Sequence, residues 1–211
     1  MTPRPRMGDS HAVADGTRPT KDLDRLRCQL ADHVPTLTDR GHTPFAMQAA
    51  TAVVVAPGSE GLSVLIIERA RQTNDRWSGH MALPGGRRAA TDVDLAQTAA
   101  RETHEEVGVL VDQDQFVARL DDQRGRSRPI VVASFVFALD EQVQLEPEPA
   151  EVAAAWWLPL SVLTDRTRTT WTRNTDVPFP AITYEGRLIY GLTHRTLASF
   201  AAALGLRIPE P

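Results

Sequence analysis

The segment from Thr91 to Gly108 constrains this chain more than any other, because it reads as one helix with two incompatible faces. Asp92 or Thr91 is placed to cap a helix over residues 93 to 107, and Gly108 stands where a left-handed residue closes it. At 3.6 residues per turn, Glu102, Glu105 and Glu106 are related as i, i+3 and i+4, so three carboxylates leave one side. Ala96, Ala100, Thr103 and Val107 form a neighbouring face, small and mostly apolar, suited to close packing on a sheet. Like charges one turn apart repel and do not favour a helix by themselves. Something must offset that repulsion, a bound cation or, for an exposed acidic face, solvent.

Strand signals surround this helix. Thr51 to Val55 and Leu62 to Ile67 are β-branched runs joined by Pro57-Gly58-Ser59-Glu60-Gly61, which predicts a hairpin or two neighbouring strands. Phe116 to Leu120 and Ile130 to Leu139 read as further strands, the second nearly all apolar and so expected to be buried on both faces. Ala153 to Leu158 resembles one more, with one tryptophan of the Trp156-Trp157 pair in the core and one at the surface. Leu160 to Thr164 predicts a short helix, Tyr184 to Arg187 a turn, and Leu192 to Leu204 a last amphipathic helix closed by Gly205. The Arg-, Thr-, Asn- and Pro-containing stretch in between has no readable period and is expected to be a substrate-side loop. Residues 1 to 19 carry almost no large apolar side chains and read as a mobile tail. Thr20 is expected to cap a helix carrying Leu23, Leu26 and Leu30, and residues 20 to 211 form one domain.

Composition narrows the function. With 42% hydrophobic and 24% charged residues the chain has the balance of a globular protein, and no apolar run nears the roughly 20 residues of a membrane span. The polar N-terminus lacks the apolar core of a secretory signal, which points to the cytoplasm. Cys28 is the only cysteine, so an intramolecular disulfide and a cysteine zinc cluster are both excluded, and it is read as an ordinary helix residue. A net charge of -4 speaks against broad nucleic-acid binding and for small-molecule substrates; a homodimer stays open. Walker, dinucleotide-fingerprint, zinc-protease and lipase-elbow patterns are absent.

The remaining polar signals cluster ahead of the helix. Hard divalent cations such as Mg²⁺ or Mn²⁺ share carboxylates with water and substrate phosphates, which suits Glu102, Glu105 and Glu106 as metal ligands. Arg101, four residues before Glu105, is placed to hold that carboxylate in a charge-assisted pair. Gly85-Gly86 must leave regular structure, and Arg69, Arg71, Arg76, Arg87 and Arg88 flank that loop, where Arg69 and Arg87 are candidates to clamp phosphates. His80 and His104 read as polar surface residues before acids or ligands, and Trp77 as a candidate to stack on a base.

Gly86, Arg101, Glu102, Glu105, Glu106, Gly108 and Val109 together resemble the signature of the Nudix hydrolase family. The departures are Thr103 in place of a bulky aliphatic, one extra residue between Gly86 and Arg101, and Asp92 in place of the loop glutamate. Gly79 to Gly86, with Leu83 for a phenylalanine, and Ile189 to Thr193 are similar to the coenzyme A diphosphatase-like branch. Leu65 to Ala70 meets that branch's upstream stretch only in part. The resemblance covers about residues 48 to 204 and implies an α/β Nudix fold with a mixed β-sheet sandwiched between α-helices. It also implies metal-dependent cleavage of a phosphoanhydride by water, with Glu105 ahead of Glu151 as the base, Glu106 and Arg101 beside it, and Arg69, Gly85, Gly86 and Arg87 binding substrate. Coenzyme A or an acyl-coenzyme A is the expected substrate. ADP-ribose, a dinucleotide or a nucleoside triphosphate is the alternative, and a non-catalytic ligand-sensing domain is the alternative of another class.

Overall fold

A computed structural model describes residues 18–37, 47–73, 77–125, 130–173 and 178–211. The tail reading for residues 1 to 17, and Arg76, lie outside them. Helix α1 (Arg18–Ala31) begins two residues before the expected cap, and its Leu23, Leu26 and Leu30 are buried as their helical spacing requires.

The sheet is built around β1 (Met47–Gly58), β2 (Gly61–Arg69) and β7 (Ile130–Ala138), with β3 (Met81–Ala82), β4 (Gly85–Arg87), β5 (Phe116–Arg119), β6 (Gln123–Arg124) and β8 (Val152–Pro159) at its margins. Strands β1 and β7 run parallel along their length, while the remaining pairings are antiparallel, so the sheet is mixed. Both expected strands of the first hairpin are longer than their β-branched centres, since ladder bonds extend them to Gly58 opposite Gly61.

Alternation sorts the side chains into two cores. Val53, Val55, Val64 and Ile66 face α1 and α4 (Gly191–Ala203), where Leu197 and Phe200 meet them. Ala50, Ala52, Val54, Leu65 and Ile67 face α2 (Leu95–Val107), where Ala99 and Val107 meet them. The sheet is thus covered on both sides, and β7 is buried on both faces as its apolar run predicts. The two tryptophans divide differently from expectation. Both are half-buried, Trp156 against the α1/α4 core and Trp157 against the α2 core.

The stretch that carried no sequence period is ordered in its described part. After α3 (Ser161–Thr164) and a short 3-10 turn at Arg166–Arg168, β9 (Thr169–Arg173), β10 (Pro178–Tyr184) and β11 (Arg187–Tyr190) form a second, three-stranded antiparallel sheet. The expected turn after Tyr184 is the tight loop Glu185-Gly186, both residues at positive φ. Short strands containing proline and threonine gave no alternation strong enough to read.

Candidate active site

Helix α2 starts at Leu95, two residues later than expected, and its cap is Asp94, whose carboxylate accepts from the Gln97 amide at 2.8 Å. Asp92 does not cap it, because its side chain is buried in another task. Arg101 Nε and Nη2 each donate to Asp92 at 3.0 Å, the Ala89 amide at 2.8 Å and the Thr98 hydroxyl at 2.9 Å. Gly108 closes the helix at φ 72°, with its N–H on His104 O, as the sequence predicts. The inward face holds Leu95, Thr98, Ala99, Thr103, Glu106 and Val107, whereas the predicted Ala96 and Ala100 are half-buried at its edge. Thr103 satisfies its buried hydroxyl on Ala99 O at 2.7 Å, which is how a polar residue replaces a bulky aliphatic here.

The three glutamates occupy three environments. Glu106 is 1% exposed, accepts from the Gly85 amide at 2.8 Å, and lies 3.9 Å from Arg69 Nη1. Burial pushes its carboxyl up to about 8; the Gly85 bond and Arg69 oppose that shift, while Glu102 and Glu151 add to it. Glu102 is half-buried and also shifted upward by burial, with Arg101 at 2.9 Å opposing and Glu105 and Glu151 reinforcing. Glu105 is exposed at the rim and bound to Arg101 Nη1 at 2.7 Å. Arg101 therefore holds Asp92, Glu102 and Glu105 at once, and its Nη2 also reaches Arg87 O at 3.2 Å.

The expected loop at Gly85-Gly86 is instead strand β4, because backbone pairing with the start of β1 holds it extended, and both glycines are steric necessities there. Gly85 sits at φ +151°, where a Cβ would overlap Ala50 O and come within 2.6 Å of Thr51 Cα, because β4 pairs with the start of β1. At Gly86 a Cβ would fall on the carboxylate of Glu102. Strand β4 thus delivers one amide to Glu106 and leaves room for Glu102.

Glu151 was the weaker candidate from sequence, yet it acts electrostatically on both Glu102 and Glu106. Its position follows from a bulge: β2 and β8 shift register between Glu68 and Arg69, so Val152 leaves the face of Trp156 and packs on the α2 side, and the Glu151 carbonyl accepts from Ala70 N at 2.8 Å. Of the flanking arginines, Arg69 is half-buried against Glu106, while Arg71, Arg87 and Arg88 are exposed and Arg88 caps the Asp92 and Val93 carbonyls. His104 and Trp77 are exposed. His80 meets the Tyr190 hydroxyl at 2.8 Å, a contact between residues 110 apart with no local signature.

The donor set suits a hard cation: a buried carboxylate with anionic neighbours, and two more oxygen donors on the same helix. Among the described residues no three acidic, histidine or thiol groups already converge as ligands, since Arg101 holds Glu102 and Glu105 in the place of a cation. Arg101 takes one oxygen of Glu102 and one of Glu105, so an ion would share these carboxylates through the second oxygen of each.

The NUDIX domain model matches residues 46–177. The chain belongs to the NUDIX family. It is 44% identical over 107 residues, 47% of this chain and 32% of the relative, to an uncharacterized protein of Schizosaccharomyces pombe. It is 32% identical over 121 residues, 54% of this chain and 50% of the relative, to a human mitochondrial coenzyme A diphosphatase. The matched stretches thus span half or less of these relatives' length. The crystal structure of a MutT/nudix family protein from Enterococcus faecalis superposes with a TM-score of 0.56 at 17% identity, covering 87% of this chain and 69% of that one, which shows the Nudix fold. Within that fold α2 carries Glu102, Glu105 and Glu106, and Asp92 takes up Arg101 of the same helix.

A consequence for stability follows. Asp92 is held below its ordinary value of 3.8 by Arg101 first, then by the Ala89 amide and the Thr98 hydroxyl, against burial. Its stabilising contribution is present above that value and is lost as pH falls through the depressed one. Asp92→Asn is expected to destabilise the protein by about 2–4 kcal/mol at pH 7, with the gap from the parent narrowing below about pH 4. Thermal melts of both proteins from pH 7 to pH 3 measure it; a constant gap refutes the ion-pair account.

Proposed function

We propose that the protein is a metal-dependent hydrolase that cleaves the phosphoanhydride of a diphosphate-linked metabolite. The carrying observation is the buried Glu106 carboxylate, held by the Gly85 amide and close enough to Glu102 and Glu151 to feel their charge. Glu102, Glu105 and Glu106 are the residues to hold Mg²⁺ or Mn²⁺, and such an ion supplies charge neutralisation for the diphosphate oxygens. Arg69 and Arg87 border the loop and are assigned to phosphate oxygens, with Gly85 and Gly86 giving the backbone close access. Glu105, at the exposed rim, is the first candidate to take a proton from the attacking water, with Glu151 second. The water oxygen bonds to phosphorus, its proton passes to the carboxylate, and the bridging oxygen leaves on the other phosphate. Arg101 fixes the direction of Glu105 for that transfer.

The substrate favoured is coenzyme A or an acyl-coenzyme A, giving phosphopantetheine and adenosine 3',5'-bisphosphate. Support comes from the human relative's name and from the Gly79–Gly86 and Ile189–Thr193 segments, which the fold brings together. The cytoplasm is the proposed compartment; among the described residues no helix is long and apolar enough to cross a membrane.

A panel of coenzyme A, acyl esters, ADP-ribose, dinucleotides and nucleoside triphosphates, with Mg²⁺ or Mn²⁺, should rank the coenzyme A species first by kcat/KM. Mass analysis in ¹⁸O-water locates the attacked phosphorus. Tenfold better turnover of another member defeats the coenzyme A assignment alone. No turnover at all, with a melting curve unmoved by millimolar metal, defeats the hydrolase reading in favour of a sensor.

A further inference from the structure

The segment leading into β4 buries Met81 and Leu83 in the α1/α4 core and joins the β1 pairing at Gly85, but its own strand content is small. Between Gly79 and Pro84 the only strand is the two-residue β3, whose ladder consists of Ile67 opposite Ala82 and Glu68 opposite Met81. Strands of three residues or more are the usual minimum for a stable edge. Backbone bonds from Gly79 to Arg69 and from Arg69 to His80, each 3.0 Å, tie its start to β2, and Ala52 N meets Pro84 O at 2.9 Å. On the other side the contacts come from more than a hundred residues away.

Thr193 Oγ1 donates to Met81 O at 3.0 Å, and the Tyr190 hydroxyl meets His80 Nε2 at 2.8 Å. Both residues stand at the start of α4, where local chemistry would use them otherwise. A threonine in the first turn of a helix commonly spends its hydroxyl on the helix's own backbone. Here α4 has no side-chain cap, and the Thr193 hydroxyl is committed across the interface instead. Arg187, on β11, adds an ion pair to Glu68 at 2.8 Å and lies 4.3 Å above the Trp156 ring, which pins the same corner to β2. The chain of contacts then runs from Met81 through Pro84 to Gly85, whose amide fixes Glu106 at 2.8 Å.

We propose that Thr193 and Tyr190 are positioning residues that set the Gly85 amide, and through it the Glu106 carboxylate, from the β11–α4 corner. The inference rests on the hydrolase reading. A misplacement of about 1 Å at a reacting group can cost a hundredfold in rate, so a relaxed loop should show in turnover before it shows in binding.

The test uses the full chain with Mn²⁺ and the substrate it turns over most efficiently. Thr193→Val is expected to lower kcat about tenfold, with KM within threefold and a melting temperature close to the parent's, and Thr193→Ser is expected to recover most of the loss. In a Glu106→Gln background the same Thr193→Val change should have less than a twofold effect, because the residue through which it acts has already been disabled. Tyr190→Phe should follow the same pattern and serves if Thr193→Val does not fold. A parent-like kcat for both variants overturns the proposal, as does a tenfold loss that persists unchanged in the Glu106→Gln background. A failure of Ser to recover activity also overturns the role of the Thr193 hydroxyl. A parent without turnover on any substrate defeats the functional reading itself, whereas an active parent with insensitive variants defeats this inference alone.

Discussion

Glu106→Gln is expected to lower kcat by at least about a hundredfold and to leave the fold in place. The amide is nearly isosteric, and its oxygen can still accept from the Gly85 N–H that Glu106 binds at 2.8 Å. What is lost is the carboxylate that a bound cation would hold in its charged form, at a position sealed from solvent. Glu105→Gln is expected to cause a loss of similar size for a different reason, since it removes the rim carboxylate oriented by Arg101. Steady-state kinetics at saturating Mg²⁺, with a melting curve as the control for folding, measure both. Activity within a few-fold of the parent in both variants would show that the chemistry lies elsewhere.

Gly85→Ala and Gly86→Ala should separate stability from activity although they are neighbours. At Gly85 the added Cβ meets backbone atoms of β1, which cannot move without breaking the pairing of β4, and the positive φ adds strain. Destabilisation of about 3 kcal/mol or more is expected, or a drop of roughly 6–12 °C in Tm. At Gly86 the Cβ meets the end of a flexible side chain, the Glu102 carboxylate, which can turn away. Stability should then change by less than about 1 kcal/mol while turnover falls at least about tenfold. Paired thermal melts and kinetics decide it. Equal melting losses, or a fully active Gly86→Ala, would contradict this view of the loop.

These two sites also show where sequence reasoning reached. The i, i+3, i+4 carboxylates, the Arg101–Glu105 pair and the Gly108 cap are relations within one or two helical turns, and each stands where the residue spacing places it. The reading of Asp92 as a cap went wrong over a comparable distance, because Asp94 offers an equivalent carboxylate and nothing local says which one turns inward. The long strands of the large sheet were legible from their apolar runs, whereas its short strands β3, β4 and β6, and β9 and β10, rich in threonine and proline, were not.

By itself the sequence determined the acidic helix, its neighbouring small face and the long buried strands, because periodicity, caps and turn chemistry act between residues a few positions apart. Only the tertiary structure decided that Glu106 is the sealed carboxylate, that Gly85 supplies its amide, that Glu151 joins its field, and that Thr193 and Tyr190 reach the loop from the far end of the chain. Three glutamates on one helix face are equivalent until a sheet is packed against one edge of that face. Burial and electrostatic coupling depend on what lies across the interface, and the spacing of residues along the chain does not contain that information.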